Sequence, residues 1–322
     1  MGAFGLQSHI WNNNLKSILL LAGFPVLLLL LLFGLTVFYV GLTTEVSSAG
    51  EGVALALDHM RRTWPFAFLG AGVWFLIAWF AHGKMIAMSV GARGLTRKEA
   101  PELYDLLENL CISRGLSMPR LNIIETEAMN AFASGISDKT YSVTLTRGLV
   151  NRLDRDEIEA VMGHELTHII NRDVRLLIVA VIFVGVFSFF GELVFRGLFR
   201  SGMRIGGHAR GRRGDSRGGG LLILIAIAAI VLAYGLALVI RFALSRKREY
   251  LADAGSVDLT KNPDAMISAL KKISGHSDFD APGEVRQMMI DNARPFAGLF
   301  MTHPSIEKRI AALIDYAGGK AA

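Results

Sequence analysis

The sequence predicts a mainly α membrane protein, with about four transmembrane helices and an α+β domain carrying a small sheet. Three observations predict it. Of the 322 residues, 52% are hydrophobic and 19% charged, with a mean hydropathy of +0.41, against about 25% charged in ordinary soluble domains. The apolar residues gather into four long runs. The stretches between and after those runs mix helical periodicity with short β-branched segments, the pattern of a folded polar domain.

The formal charge of +6 resembles a nucleic-acid footprint until the Lys and Arg are mapped. Most border apolar runs, where membrane proteins keep them, so membrane lipids are the expected contact and no nucleic-acid partner is. The single Cys111 excludes a disulfide framework and a cysteine-rich metal site within one chain, and fits a reducing compartment.

Residues 1–90 are expected to form two N-terminal transmembrane helices, at about 18–40 and 65–82. Ile18 to Val40 is 23 residues without a charge, about 34 Å as a helix and enough for a hydrocarbon core of about 30 Å. Its length, the lone Lys16 ahead of it and the lack of a prompt small-x-small site favour an anchor over a cleaved signal peptide. Pro65 to Ala81 is 17 uncharged residues with Trp64 at its mouth and Trp79 near its far end, an interfacial placement of indole rings. Residues 176–240 read as a hydrophobic hairpin: Leu176 to Phe195 is apolar apart from Glu192, and Leu221 to Ile240 is 20 uncharged residues. Between them, residues 201–220 hold eight Gly and five Arg, a composition that buries no core. Without aromatic stacking residues, those arginines suit anionic headgroups.

The polar domain is expected in two pieces, 91–175 and 241–322. In the first, Glu99 to Arg114 has helical periodicity, with Leu103, Leu106, Leu107 and Leu110 on one face, while Arg120 to Glu125 and Tyr141 to Thr146 read as short strands. Asp154 and Glu157 form a D-x-x-E capping pattern, so a helix should start there and run through Ile170. The second piece reads as helical, punctuated by Pro263, Gly275, Pro282, Pro295 and Pro304.

Inside the 154–170 helix stands His164-Glu165-Leu166-Thr167-His168. Residues four apart share a helical face, so both imidazoles can reach one ion, while Glu165 lies about one hundred degrees round and can address a water. That is the donor set of a hydrolytic zinc site with an open position. The apolar neighbours Ile158, Val161, Met162, Ile169 and Ile170 imply a partly buried helix, where two unpartnered imidazoles would be costly. A third ligand must come from elsewhere. Glu249 and Asp253, in Arg248-Glu249-Tyr250-Leu251-Ala252-Asp253, share a face at i and i+4, so one carboxylate can bind the ion while the other holds an imidazole N–H.

With these motifs, the chain resembles the integral-membrane gluzincin metalloproteases, nearest their bacterial heat-shock branch and more distantly the CAAX prenyl proteases. The resemblance covers nearly the whole length: Asn130-Ala131-Phe132-Ala133-Ser134-Gly135, the H-E-x-x-H helix, the E-x-x-x-D helix, and Thr302-His303-Pro304-Ser305 followed by Arg309-Ile310. It implies a zincin-like catalytic domain holding one Zn²⁺, with His164, His168 and Glu249 as metal ligands. It also implies Glu165 as general base and Asp253 as the group orienting a ligand. By the same resemblance, Asn130, Ala131 and Phe132 lie beside the substrate cleft, where an extended chain could add as a strand. A turn before the Tyr141 strand is the plainer reading of that segment. His303 resembles a histidine that approaches the metal, to stabilise an oxyanion or to occupy the open position in a resting form. Its plainer role is to precede the first-turn Pro304.

Topology adds a constraint. His164 and Glu249 flank the 176–240 hairpin, so they can meet only if the chain between them crosses the membrane an even number of times. Lys84 to Arg175 holds 12 Lys and Arg and the tail from Arg241 holds 12, against 2 between the first two runs, which points to a cytosolic catalytic side. The seven Arg between Arg196 and Arg217 oppose two full crossings by the hairpin. The expectation is a zinc endopeptidase of the bacterial inner membrane; that its substrates are misfolded or damaged membrane proteins, as in stress-related quality control, is implied by the resemblance. Alternatives are a CAAX-type prenyl-protein protease and a non-catalytic zinc-stabilised membrane scaffold.

Overall fold

The structure, a computed structural model, describes residues 6–180, 182, 185, 196, 217–242, 247–286, 288–291 and 304–317. Its elements begin with helices α1 (Leu6–Thr43) and α2 (Ala49–Val90), strand β1 (Arg93–Gly94), helix α3 (Pro101–Arg114), and strands β2 (Arg120–Ile124), β3 (Ala131–Ser134) and β4 (Ser142–Thr146). Helices α4 (Arg147–Arg152), α5 (Arg155–Ile170), α6 (Arg217–Phe242), α7 (Lys247–Thr260), α8 (Pro263–Ile273), α9 (Gly283–Arg286) and α10 (Ile306–Ala317) follow. They fall into two compact units, each assembled from separate stretches. One is built chiefly from Phe80–Val179 and Phe242–Ala322, the other from Ser17–Trp79 and Ala180–Arg241.

In the second unit, α1 carries the first predicted run and α6 the last. The stretches Ala22–Thr43 and Ala49–Val90 are long and apolar enough to cross a membrane, and Gly220–Leu236 within α6 is a shorter apolar stretch. Val37, Val40, Val46, Ala56, Leu222 and Ala226 form one buried apolar cluster. Glu192, most of the third run and residues 201–216 lie outside the described residues.

Helix α2 begins well before the predicted run, and Pro65 lies inside it. The cause is local. Ser48 Oγ accepts from Glu51 N at 3.2 Å, and the Glu51 carboxylate accepts from Ser47 N at 2.9 Å. This S-x-x-E arrangement starts a helix, which the Ala/Leu-rich residues 53–57 then carry forward.

The first unit contains a four-stranded mixed sheet in the order β1-β2-β4-β3, parallel between β2 and β4 and antiparallel elsewhere. The strands predicted at 120–125 and 141–146 are β2 and β4, and the periodic 99–114 segment is α3, which starts at Pro101. The 130–135 segment supplies an edge strand, β3, pairing Phe132 with Thr144.

Helix α5 starts where the capping pattern places it. Asp154 accepts from Glu157 N at 3.0 Å, and Glu157 Oε2 accepts from Asp154 N at 2.8 Å, a box whose removal typically costs about 1 kcal/mol. Glu157 is itself buried, accepting from Ser268 Oγ at 2.5 Å and Lys272 Nζ at 2.6 Å, both on α8. On α7, Ser256 Oγ donates to Ala160 O of α5 at 2.5 Å. These links fix α5 between its neighbours, and nearly every residue from Glu157 to Ile169 is buried.

Candidate metal centre

Two helices bring the donors together. His164 and His168 lie one turn apart on α5, and Glu249 and Asp253 one turn apart on α7. His164 Nε2 and His168 Nε2 are 3.1 Å apart, with Glu249 Oε2 at 3.7 and 3.8 Å from them. A tetrahedral zinc ion with bonds of 2.0–2.1 Å would set its ligand atoms about 3.3 Å apart, so the three donors fit one.

The outer nitrogens explain why two imidazoles point their Nε2 atoms at each other. His164 Nδ1 is 2.9 Å from Asp253 Oδ1, and His168 Nδ1 is 3.1 Å from Asp173 Oδ2. A proton on each Nδ1, donated to its carboxylate, would leave a bare lone pair on each Nε2. Two buried lone pairs facing across 3.1 Å call for a cation. Glu249 is held from its other oxygen by Arg248, whose Nε donates to Oε1 at 3.1 Å.

Burial sets the electrostatics. Desolvation pushes the Glu165 carboxyl up to about 7, and neither of its oxygens has a hydrogen-bond partner among the described residues. The Ala133 amide lies within electrostatic reach without forming a bond of normal geometry. Desolvation takes the His164 imidazole down to about 4, against the opposing pull of Asp253. His168 lies above its ordinary value, because Glu249 and Asp173 outweigh the opposing desolvation. Burial would raise Asp253, but the Arg309 guanidinium holds it below the usual range.

A family model for peptidase family M48 matches residues 97–317. The chain belongs to peptidase family M48. It is 41% identical to a protease HtpX homolog of Bacteroides fragilis, covering 97% of this chain and 99% of that one. A protease HtpX homolog of Leuconostoc citreum is 36% identical over 96% of this chain and 99% of its own length. Among solved structures, Ste24p of S. mikatae aligns over 94% of this chain and 66% of its own, at 19% identity and a TM-score of 0.43. This M48 chain is therefore a protease whose apolar helices are long enough to cross a membrane.

The M48 motifs do not all meet at the donors. His303 lies outside the described residues. Asn130 is buried and structural: its Nδ2 donates to Ser277 O and Asp291 O, each at 3.0 Å, and its Oδ1 accepts from Ala131 N at 3.0 Å. Phe132 is buried and paired within the sheet, while Ala133 lines a small cavity with Glu165, His168 and Glu249.

Three residues given no site role by the sequence reading support the centre: Asp173, Arg248 and Arg309. Arg309 on α10 is fully buried. Its Nε and Nη2 donate to the two Asp253 oxygens at 2.9 and 2.6 Å, and its Nη1 donates to Ile290 O at 2.7 Å. It lay in plain view as the arginine after Thr-His-Pro-Ser, but a side chain 56 residues beyond Asp253 gives no periodic signal. Asp173, five residues after His168 and just past the end of α5, likewise falls outside the i+3 and i+4 spacing.

Proposed function

We propose that this M48 protein is a zinc-dependent endopeptidase of the bacterial inner membrane. In this reading its site faces the cytosol and hydrolyses peptide bonds of misfolded or damaged membrane proteins. The supporting observation is the convergence of His164, His168 and Glu249, from stretches on either side of a hydrophobic segment, with Glu165 beside them. Their meeting satisfies the even-crossing requirement, and the Lys and Arg distribution favours the cytosolic side.

In this reading His164, His168 and Glu249 hold the ion, which supplies Lewis-acid polarisation of a carbonyl and acidifies a water. Asp253 and Asp173 keep both imidazoles in the Nδ1–H form. Glu165, buried and without a hydrogen-bond partner among the described residues, takes the proton of the attacking water and returns it to the leaving amine. By the family resemblance alone, this reading assigns His303 either to stabilising an oxyanion or to the open coordination position of a resting form. Ala131 and Phe132, in β3, belong to the strand edge along which an extended substrate aligns, and Asn130 anchors the start of that strand.

Metal content and casein cleavage of the purified protein, wild type beside Glu165→Gln, test this directly. Zinc in both with cleavage only by the wild type is the expected result. Equal activity of the two would leave a zinc-stabilised scaffold or a different base. Preferential cleavage of a farnesylated C-a-a-X peptide would move the substrate class to prenylated proteins.

A further inference from the structure

The cavity at the metal centre is about 20 Å³, room for about one water molecule, whereas pockets that take ligands run to roughly 300–1,000 Å³. His164, Glu165 and Glu249 are all at most 1% exposed. No polypeptide can be cut there without something moving.

The chain itself shows what fills the space. Thr146 N donates to Asn130 O and Phe132 pairs with Thr144, so alternation turns the backbone groups of Ala131 and Ala133 away from β4. On that outer edge Ala131 O accepts from Ile290 N at 2.9 Å, and Phe132 lies opposite Met289 in an antiparallel bridge. Met288 reaches on to line the cavity beside Glu165 and Glu249. The segment is fastened by Asn130 Nδ2 and Arg309 Nη1, which donate to Asp291 O and Ile290 O, and by Ser277 Oγ, which donates to Asp291 Oδ2 at 2.5 Å.

We propose that residues 288–291 are a built-in occupant of the substrate's place: they pair with β3 where an extended polypeptide would, and must leave before one can be cleaved. This rests on the peptidase reading above and on β3 as the substrate edge. Replacement is chemically matched. An incoming strand supplies an N–H for Ala131 O and a carbonyl for Arg309 Nη1, a buried donor that would be costly to leave bare. Because that guanidinium also holds Asp253, which holds His164, the occupant and the metal centre share one anchor. The segment meets β3 at one bridge and is otherwise held by side chains, so it can leave without unpairing β3 from β4.

Hydrogen exchange on full-length, zinc-loaded Glu165→Gln in detergent reads the displacement without turnover. The 288–291 backbone should be protected alone and exchange about tenfold faster or more when a casein-derived peptide saturates the site. Unchanged protection with the peptide bound overturns the proposal. A second measurement uses Phe132→Cys/Met289→Cys. The bridge type places these residues about 4.5 Å apart between Cα atoms, within disulfide reach, and the one native cysteine, Cys111, is buried. Casein cleavage by the oxidised form should fall about tenfold or more below that of the same variant reduced, with zinc retained. Equal rates in the two forms, with the bridge verified by mass, overturn the proposal; if the reduced form is also inactive, the exchange result decides. A wild type that never cleaves casein sinks the peptidase reading and this proposal together. An active wild type with no displacement sinks this proposal alone.

Discussion

Gly255→Ala tests how closely the two donor-bearing helices must pack. Gly255 of α7 faces Thr167 of α5, and an added Cβ would sit 2.3 Å from Thr167 Cγ2, 2.5 Å from Oγ1 and 2.9 Å from Cβ. Carbon atoms rest at about 3.5 Å or more, so the overlap with the methyl is about 1.2 Å. Thr167 is poorly placed to yield. It is buried, its hydroxyl donates to Gly163 O at 2.8 Å, and a β-branched side chain in a helix has few rotamers. The helices must therefore part by roughly 1 Å. Glu249 rides on one and both histidines on the other, with donor atoms now within 4.8 Å of one another, so the parting opens the metal centre. Overpacking of this kind costs about 1–3 kcal/mol, and the same energy lost from zinc binding is about five- to one-hundred-and-fifty-fold in affinity. Zinc competition against a chromophoric chelator, with thermal unfolding in detergent, measures both. Thr167→Ala removes Cγ2 and Oγ1 and leaves an overlap of about 0.6 Å at Cβ, so the double variant should recover much of the loss. Gly163→Ala grades the effect, since its Cβ would meet Ser256 Oγ at 3.2 Å and Ser256 Cα at 3.4 Å, a milder clash at the same crossing that should cost less. Wild-type zinc affinity and unfolding in Gly255→Ala would refute the idea that this crossing sets the donor geometry.

Asp173→Asn removes the charged acceptor for His168 Nδ1 and should weaken zinc binding about 10–100-fold; competition titration giving the wild-type constant would remove Asp173 from the centre. Glu165 carries a pH signature. As a base it works deprotonated, so activity should be lost as pH falls, with a midpoint below about 7 because a bound cation opposes the desolvation that lifts it there. In the metal-free protein its raised value favours the neutral carboxyl. Its contribution to stability is complete below its unfolded value and is lost as pH rises through about 7. Urea titrations of chelated wild type should therefore fall behind Glu165→Gln over that window, and parallel curves would contradict the burial effect.

The donors were legible because their chemistry is periodic. Two imidazoles four apart with an intervening glutamate, and two carboxylates four apart, name themselves on a helix, and the Asp154 capping box located the start of α5 to the residue. The α2 start was written equally plainly in Ser48 and Glu51, ahead of the uncharged run, and Pro65 is accommodated inside the helix. Strand β3 was harder, since a four-residue edge strand of Ala, Phe, Ala and Ser has no alternation to separate it from a turn.

Local periodicity therefore determined which residues could bind a cation and which face each presents, because a helix fixes the angle between neighbours whatever surrounds it. Only the tertiary structure decided the partners. Arg309 reaches Asp253, Asp173 returns to His168, and Ile290 takes the outer edge of β3. Each pairing depends on where buried polar groups find complements once separate stretches pack. Desolvation makes those complements obligatory, while a linear chain carries no record of the distances at which they are met.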